Sequence, residues 1–383
     1  MPYSFLTKEV AANREIRGFR FVRFRLRTGV LDHGSGSMRG ALGCRNEDEE
    51  GRTTSVRPFR FVTNAAFFAS GALYSSYMAK VYEKAYFGDR IVPLGEAQVS
   101  VASSAVLYGL SVYTVFPLSK FQEGFAAFRL PDHYQRLIHS ARIIGLDTFE
   151  REWTYEKFVA AVGELVRANT LHEGVFVRAT IHADELVPGT RSRGIHTTLS
   201  MFIYEAKPII PQDGARLKTS VWRRIPDYAI PSRAKVNGAY VNSVLAKQDA
   251  LDSGYDDCVF LDAQGHVCEL SAANIFIVRN GVLITPNTTS DLLEGINRKT
   301  LLEFAHAIGI AVQERDIDLT ELYIADEVFA CGTSAFIAPI KEVDARVVGN
   351  GTMGPVTARL RELHTRALRG EDPAYQKLLT MVG

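Results

Sequence analysis

Cysteine is scarce: the 383 residues hold four, Cys44, Cys258, Cys268 and Cys331, with no CxxC pair among them. A disulfide framework and a structural zinc site are both excluded, and a reducing, cytosolic compartment is the simplest reading. The nine histidines are dispersed and form no HExxH, so no protein metal site is expected. A membrane span of about 18 apolar residues is also missing. The nearest stretch, Val99 to Phe116, is broken by Ser100, Ser103, Ser104, Gly109 and Ser111. Charge of one sign is lacking too: 44 basic against 43 acidic residues leave +1, no field to gather nucleic acid or an anionic membrane. Any anion must be held by local residues. No GxGxxG opens a helix after a strand, and neither a P-loop nor a GxSxG elbow occurs, so nucleotide, dinucleotide and serine-hydrolase chemistry lose support.

What is present is an ordinary globular composition, 46% hydrophobic and 23% charged, in a chain long enough for two domains. Residues 1–77 stand apart, with eleven arginines and one lysine against seven acids. Their Phe-Arg steps, the Gly34 to Ser37 stretch and the acidic run Glu47 to Glu50 show no sustained period, which suggests a poorly ordered extension. A transit peptide would account for the arginines but not for Glu9, Glu15 and the acidic run. The expectation is that Met78 is the native start.

From Met78 onward short apolar segments alternate with helical stretches, an α+β or α/β pattern. Tyr86 to Ile91 with Gly88-Asp89 reads as a hairpin. Arg136 to Ile144 and Tyr155 to Asn169 read as helices, and Gly174 to Ile181 as a strand. Pro208, Pro211, Asp213 and Gly214 mark 206–216 as an interdomain linker. Asp257 to Pro286 looks like a meander of three strand-like runs. Asn297 to Ile308 is an amphipathic helix, Val328 to Cys331 a buried strand, and Pro355 to Leu368 a last helix with proline near its start.

Several residues suggest chemistry on their own. Gly295-Ile296-Asn297 opens a helix, where free N–H groups and the dipole's positive end can take an anion, although Asn297 could equally be only an N-cap. Gly332-Thr333-Ser334 offers hydroxyls and N–H groups at a strand end. Glu269 shares a strand face with Val267, while Cys268 and Leu270 cover the other. Buried there, an ionised carboxylate needs a cation, and no basic residue lies within four positions, so the partner comes from elsewhere in the fold or from a ligand. An edge-strand Glu facing water is the competing reading. Among twelve lysines only context distinguishes Lys235, between Pro231 and Asn237-Gly238; its alternative is a solvated surface charge.

Five ordered blocks then combine: YGLSVYTVF (Tyr108 to Phe116), HYQRL (His133 to Leu137), RAKVNGAYVNS (Arg233 to Ser243), CELSAANIF (Cys268 to Phe276) with LLEGINRKT (Leu292 to Thr300), and IADEVFACGTSAFIAPI (Ile324 to Ile340). Through them residues 80–357 resemble the fold-type IV pyridoxal-phosphate enzymes, most closely branched-chain aminotransferases. The resemblance implies a small α/β domain over about 82–205 and a larger pseudo-barrel domain over about 217–383, usually as a homodimer whose active sites borrow residues from the neighbouring subunit.

By similarity Lys235 matches the lysine that forms a Schiff base with pyridoxal 5'-phosphate. Tyr240 matches the tyrosine at the cofactor's phenolic oxygen, and Glu269 the carboxylate that pairs with the pyridine nitrogen. Arg136 matches the phosphate-gripping arginine, with Ile296, Asn297 and Thr333 as further donors. Tyr108, Phe176, Arg178, Ser334 and Ala335 match substrate positions, where the chain also departs from the family: Phe176 stands for a usual tyrosine, Tyr113-Thr114 for Phe-Glu, and Ser334-Ala335 for Ala-Ala. Leu270 replaces a glycine and Asn297 a threonine. The implied activity is amino transfer between a branched-chain L-amino acid and 2-oxoglutarate. Other readings are a D-amino-acid or (R)-amine transaminase, an aminodeoxychorismate lyase of the same fold, or a catalytically silent cofactor-binding protein.

Overall fold

The structure, a computed structural model, describes residues 79–383 except 173, together with the backbone of four short strands at Met38–Leu42, Arg45–Glu47, Thr53–Ser55 and Phe59–Thr63. The first of these pairs with the fourth and the second with the third, both antiparallel, within a unit spanning 1–78. The remainder of the extension expected to be poorly ordered lies outside the described residues.

Residues 79–383 form a second unit built on two sheets. In the first, β1 (Val81–Phe87) turns back into β2 (Arg90–Pro93) through the hairpin read from the sequence. Gly88, at φ +69°, supplies the left-handed backbone this two-residue turn needs. After them come β3 (Ser111–Phe121), β4 (Gly124–Phe128), helices α1 (Leu130–Ile143) and α2 (Tyr155–Ala168), then β5 (Val175–Ala183) and β6 (Thr197–Glu205). Strand order is β4, β3, β5, β6, β1, β2, and the C-terminal strand Leu379–Val382 adds to β4; every neighbour is antiparallel.

The first eight residues of β3 are all buried, because both faces of the sheet are covered. Alternation assigns Val112, Phe116 and Leu118 to the core under α1 and α2, and Tyr113 and Val115 to the opposite face. Helix α1 begins six residues before the expected start at Arg136. Leu130 and His133 carry the buried stripe of Leu137 and Ala141 back almost two turns, and Pro131 is tolerated in the first turn.

The second sheet contains β7 (Ala215–Thr219), β8 (Asp257–Leu261), β9 (Val267–Leu270), β10 (Asn274–Arg279), β11 (Val282–Thr285), β12 (Val312–Glu314), β13 (Glu327–Gly332) and β14 (Phe336–Val343), with β15 (Arg346–Val347) against β14. Three long helices accompany it: α3 (Tyr240–Asp252), α4 (Ile296–Ala307) and α5 (Pro355–Leu368).

Two expectations are corrected here. Residues 257–286 hold four strands rather than three, and they are not a meander. The order β9, β8, β7, β14, β13, β10, β11, β12 separates the hairpin β8–β9 from the hairpin β10–β11 by three strands. The sheet curls enough for the two separated strands to touch at their ends, where the Leu270 N–H donates to the Ala273 carbonyl at 2.8 Å. The apolar content of these strands announces burial but not the partner, since both hairpins have equally buried faces. Second, Val259 opposes Leu270 while Leu261 opposes Val267, so the single residue Phe260 of β8 faces two residues of β9, Cys268 and Glu269. This β-bulge interrupts the alternation, and Val267 and Leu270 join the same core instead of opposite faces.

Strand β7 starts inside the span read as a linker, and the C-terminal strand belongs to the first sheet rather than to the second. Among the described residues no helix is long and apolar enough to cross a membrane, and no cluster of His, Cys, Asp and Glu could hold a metal ion.

Candidate active site

A cavity of about 150 Å³ lies between the two sheets, and Arg136, Arg178, Lys235, Tyr240 and Glu269 all line it. So do Ile296, Asn297, Thr333 and Ser334.

Lys235 sits in the loop before α3, and that loop is clamped by the first sheet. Its carbonyl accepts from the Tyr113 N–H at 3.0 Å, Val236 bridges Val112, and the Asn237 N–H donates to the Ser111 carbonyl at 2.9 Å. From the other side the Ser140 hydroxyl accepts from the Lys235 N–H at 3.0 Å while donating to the Arg136 carbonyl at 2.8 Å, which ties the loop to α1. The backbone approach is close enough that a Cβ on Gly109, already at φ +65°, would lie 2.9 Å from the Gly238 Cα. The lysine is therefore placed by strand-like pairing rather than left to a mobile loop. Its Nζ donates to the Tyr240 hydroxyl at 2.6 Å and lies 4.8 Å from the centre of the Tyr113 ring. Burial lowers the Lys235 amine to about 8, helped by Arg136 and Arg178 and opposed by Tyr113 and Glu269. Burial likewise raises the hydroxyls of Tyr240 and Tyr113, the latter to about 12.

Glu269 is buried on β9, so the water-facing alternative is excluded. The cation it needs is Arg224, whose Nη2 lies 2.8 Å from Glu269 Oε1. Oε2 accepts from Asn274 Nδ2 at 3.2 Å and from the Leu293 N–H at 3.3 Å. All three partners donate, an arrangement that suits the ionised carboxylate. Burial pushes the carboxyl upward, and Arg224, Lys235 and the Leu293 N–H pull against it. Arg224 is 45 residues upstream on the loop after β7, where its N–H donates to the Leu261 carbonyl at 2.9 Å.

The anion-holding groups come from three elements. Arg136 on α1 has a buried Nε without any partner, and its Nη2 reaches only the Thr114 hydroxyl at 3.4 Å. That hydroxyl also bonds His133 Nδ1 at 2.8 Å, and burial, then Arg136 and Lys235, keep this imidazole well below its usual pKa. Helix α4 begins at Ile296 with Gly295 as its cap, so the first-turn N–H groups find no acceptor inside the helix. Gly295 has no room for a side chain, since a Cβ there would collide with Asn274 Oδ1. Thr333 and Ser334 lie in the three-residue turn joining β13 to β14.

The Arg178 guanidinium stacks on Tyr113, 3.6 Å from the ring centre, and donates to Asn237 Oδ1 at 2.5 Å. Three residues matched to substrate positions do not line the cavity. Tyr108 is half exposed on the loop before β3. Phe176 is fully buried behind Tyr113 and Val115, and Ala335 is buried in the core of the second sheet. Arg224, Tyr204 and Asn274 line the cavity and were not singled out in the sequence. A buried glutamate demanding a cation was the only signal for Arg224, and it did not say which of the arginines answers.

A buried, pKa-lowered amine beside a phenol, an arginine with an unpaired N–H near a helix start, and a buried carboxylate in one cavity define an enzyme of amine chemistry on an anionic, ring-bearing group. The family model for amino-transferase class IV matches residues 112–343, and the chain belongs to that family. It is similar to the probable branched-chain-amino-acid aminotransferase of Aquifex aeolicus, 37% identical over 302 residues that cover 78% of this chain and 96% of the relative. Among solved structures it is similar to the branched-chain aminotransferase of Thermoproteus uzoniensis with norvaline, at 37% identity and TM-score 0.75, covering 78% of this chain and 99% of that one. The branched-chain amino acid aminotransferase from Thermobaculum terrenum, solved in its PLP-bound holo-form, matches at 32% identity and TM-score 0.73, over 79% of this chain and 99% of that one.

Proposed function

We propose that this protein moves an amino group between a branched-chain L-amino acid and 2-oxoglutarate, using pyridoxal 5'-phosphate. The observation that carries the reading is the Lys235 amine, 2.6 Å from the Tyr240 hydroxyl in the cavity that Glu269 and Arg136 also line. The residues present fit that cofactor. The unpaired Arg136 Nε and the start of α4 suit a phosphate, and Glu269 is a buried acceptor for a protonated ring nitrogen. When bound, the group supplies an aldehyde that captures amines and a ring that withdraws electrons from Cα.

The chain's own groups do the rest. Lys235, as the free amine, would take the proton from the substrate's Cα and deliver it to the carbon on the far side of the transferred nitrogen; its lowered pKa gives it a larger neutral fraction near physiological pH than an ordinary lysine has. Tyr240 holds the amine in place. Glu269 stabilises positive charge at the ring nitrogen, and Arg224 keeps that carboxylate oriented. Arg178 has no carboxylate partner among the described residues and suits a substrate carboxylate, while Val115 and Ile209 offer an apolar wall to an aliphatic side chain.

Incubation with a panel of L- and D-amino acids and 2-oxoglutarate, following glutamate, tests this. Glutamate from L-leucine, L-isoleucine and L-valine is the expected result. Glutamate from D-enantiomers alone, or pyruvate from aminodeoxychorismate with no glutamate, would replace it with a different reaction of the same fold.

The amine's low pKa also sets a pH dependence. A lysine at its ordinary value is almost wholly charged below about pH 9. With a pKa of about 8, the neutral nucleophile at position 235 accumulates as pH rises through 8. The rate at which cofactor-free protein takes up pyridoxal phosphate should therefore climb between about pH 7 and about pH 9 and then level off. A flat profile over that span would contradict the assignment.

A homodimer is part of the proposal. Val221, Trp222, Tyr228, Val241 and Val244 are exposed apolar side chains on the loop after β7 and on α3, a surface suited to a second copy. Exposed Tyr108 would then serve the partner's cavity. Sedimentation at twice the chain's mass is expected; a monomer at working concentration would refute it. The free buried thiols of Cys258, Cys268 and Cys331 accord with a cytoplasmic setting.

A further inference from the structure

A second cavity of about 270 Å³ shares no residue with the first, and Gln212, Phe336, Arg361, His364, Leu368 and Arg369 line it. Its lining includes two arginines and no acid among the described residues. Arg361 donates to the Gln212 carbonyl at 2.9 Å and meets no carboxylate among the described residues, and Arg369 has only a loose, exposed pair with Glu371 at 3.8 Å. His364 is buried on α5, and its Nε2 has no hydrogen-bond partner. Phe336, Ile337 and Leu368 supply an apolar side. Two guanidinium groups, one without a carboxylate partner among the described residues and one only loosely paired, beside aliphatic and aromatic surface suit a small carboxylate with a hydrocarbon tail.

The cavity also adjoins the turn that bounds the active site. Gln212 Nε2 donates to the Ala335 carbonyl at 2.9 Å, and the Ile209 N–H donates to the Ser334 carbonyl at 3.0 Å. Phe336 holds φ +54°, a left-handed backbone that a three-residue hairpin turn usually reserves for glycine. Its ring lies 5.8 Å from Phe176, in the cluster that backs Tyr113 and Val115. One turn, 333–336, thus presents Thr333 and Ser334 to the active-site cavity and Phe336 to the second.

We propose that the cavity formed by α5 and the 333–336 turn is a regulatory site for a small aliphatic carboxylate, whose binding shifts the turn and so alters substrate binding. The effect on turnover rests on the aminotransferase reading; the site itself does not.

The test uses the full-length holoenzyme and 4-methylpentanoate, which has neither amino nor oxo group and cannot turn over. Titration calorimetry of the wild type, Arg369→Gln and Arg361→Gln/Arg369→Gln should reveal an equivalent weakened about tenfold in the single variant, as for loss of one charge-assisted hydrogen bond, and lost in the double. In parallel, 4-methylpentanoate should inhibit the wild type with a component that excess L-leucine does not relieve, and that component should need about tenfold more 4-methylpentanoate in Arg369→Gln and vanish in the double variant. Arg369 is exposed, so this variant should fold. Identical binding isotherms in all three proteins, or inhibition fully relieved by L-leucine, overturns the proposal. If the wild type forms no glutamate from L-leucine, the functional reading fails instead, and calorimetry still decides the site.

Discussion

Replacing Lys235 by alanine should lower kcat at least about 10⁴-fold and abolish the visible absorbance that bound pyridoxal phosphate gives the wild type. The magnitude follows from the number of tasks this one side chain carries. Among the described residues it is the only lysine lining the cavity, so no other amine there can take over either the attachment or the proton transfer. Folding should survive, because the loop is held through backbone groups: the Lys235 N–H on Ser140, its carbonyl on the Tyr113 N–H, and Asn237 on Ser111. Unchanged circular dichroism with loss of both the absorbance and glutamate formation is the expected combination. A variant that keeps more than a few per cent of wild-type kcat would show that the amine does not carry the chemistry. Adding a free alkylamine should restore part of the rate, since a diffusible amine can stand in for the missing proton carrier.

Exchanging Glu269 for glutamine should produce two separable losses. The substitution preserves volume but leaves the Arg224 guanidinium facing an amide in a buried setting. Breaking a buried ion pair from one side costs about 3–5 kcal/mol, so the unfolding temperature should fall clearly. The rate should fall as well, by roughly 10²–10³-fold, because an amide cannot stabilise charge at the ring nitrogen as a carboxylate does. The double variant Glu269→Gln/Arg224→Gln separates the two. It removes the orphaned charge, so stability should recover in part, whereas turnover should not. Recovery of both would make the pair purely structural. Loss of neither in the single variant would mean that the 2.8 Å contact contributes nothing measurable.

Much of this was legible in advance because the chemistry rests on short, local signals. The α5 bounds match the sequence reading, since Pro355 and the apolar spacing after it are properties of consecutive residues. The start of α4 was legible for the same reason: Gly295 followed by an amphipathic stretch marks a helix terminus wherever the chain then goes. Lys235, Tyr240 and Glu269 entered through motif blocks, and all three line one cavity.

What the sequence by itself determined, then, was the family and many of the helices and strands, together with candidate groups that the structure gathers around one cavity, because periodicity, capping and motif spacing act between residues close in the chain. Tertiary structure alone decided the rest. It chose Arg224 as the partner of Glu269, separated the two hairpins of residues 257–286 by three strands, inserted the bulge that put Val267 and Leu270 in one core, and returned the C-terminal strand to the first sheet. The physical reason is common to all four. Buried charges and open sheet edges state what they need, a counter-ion or a row of hydrogen-bond partners, but many segments can satisfy that need equally well. The choice among them is made by packing between parts of the chain that are remote in sequence.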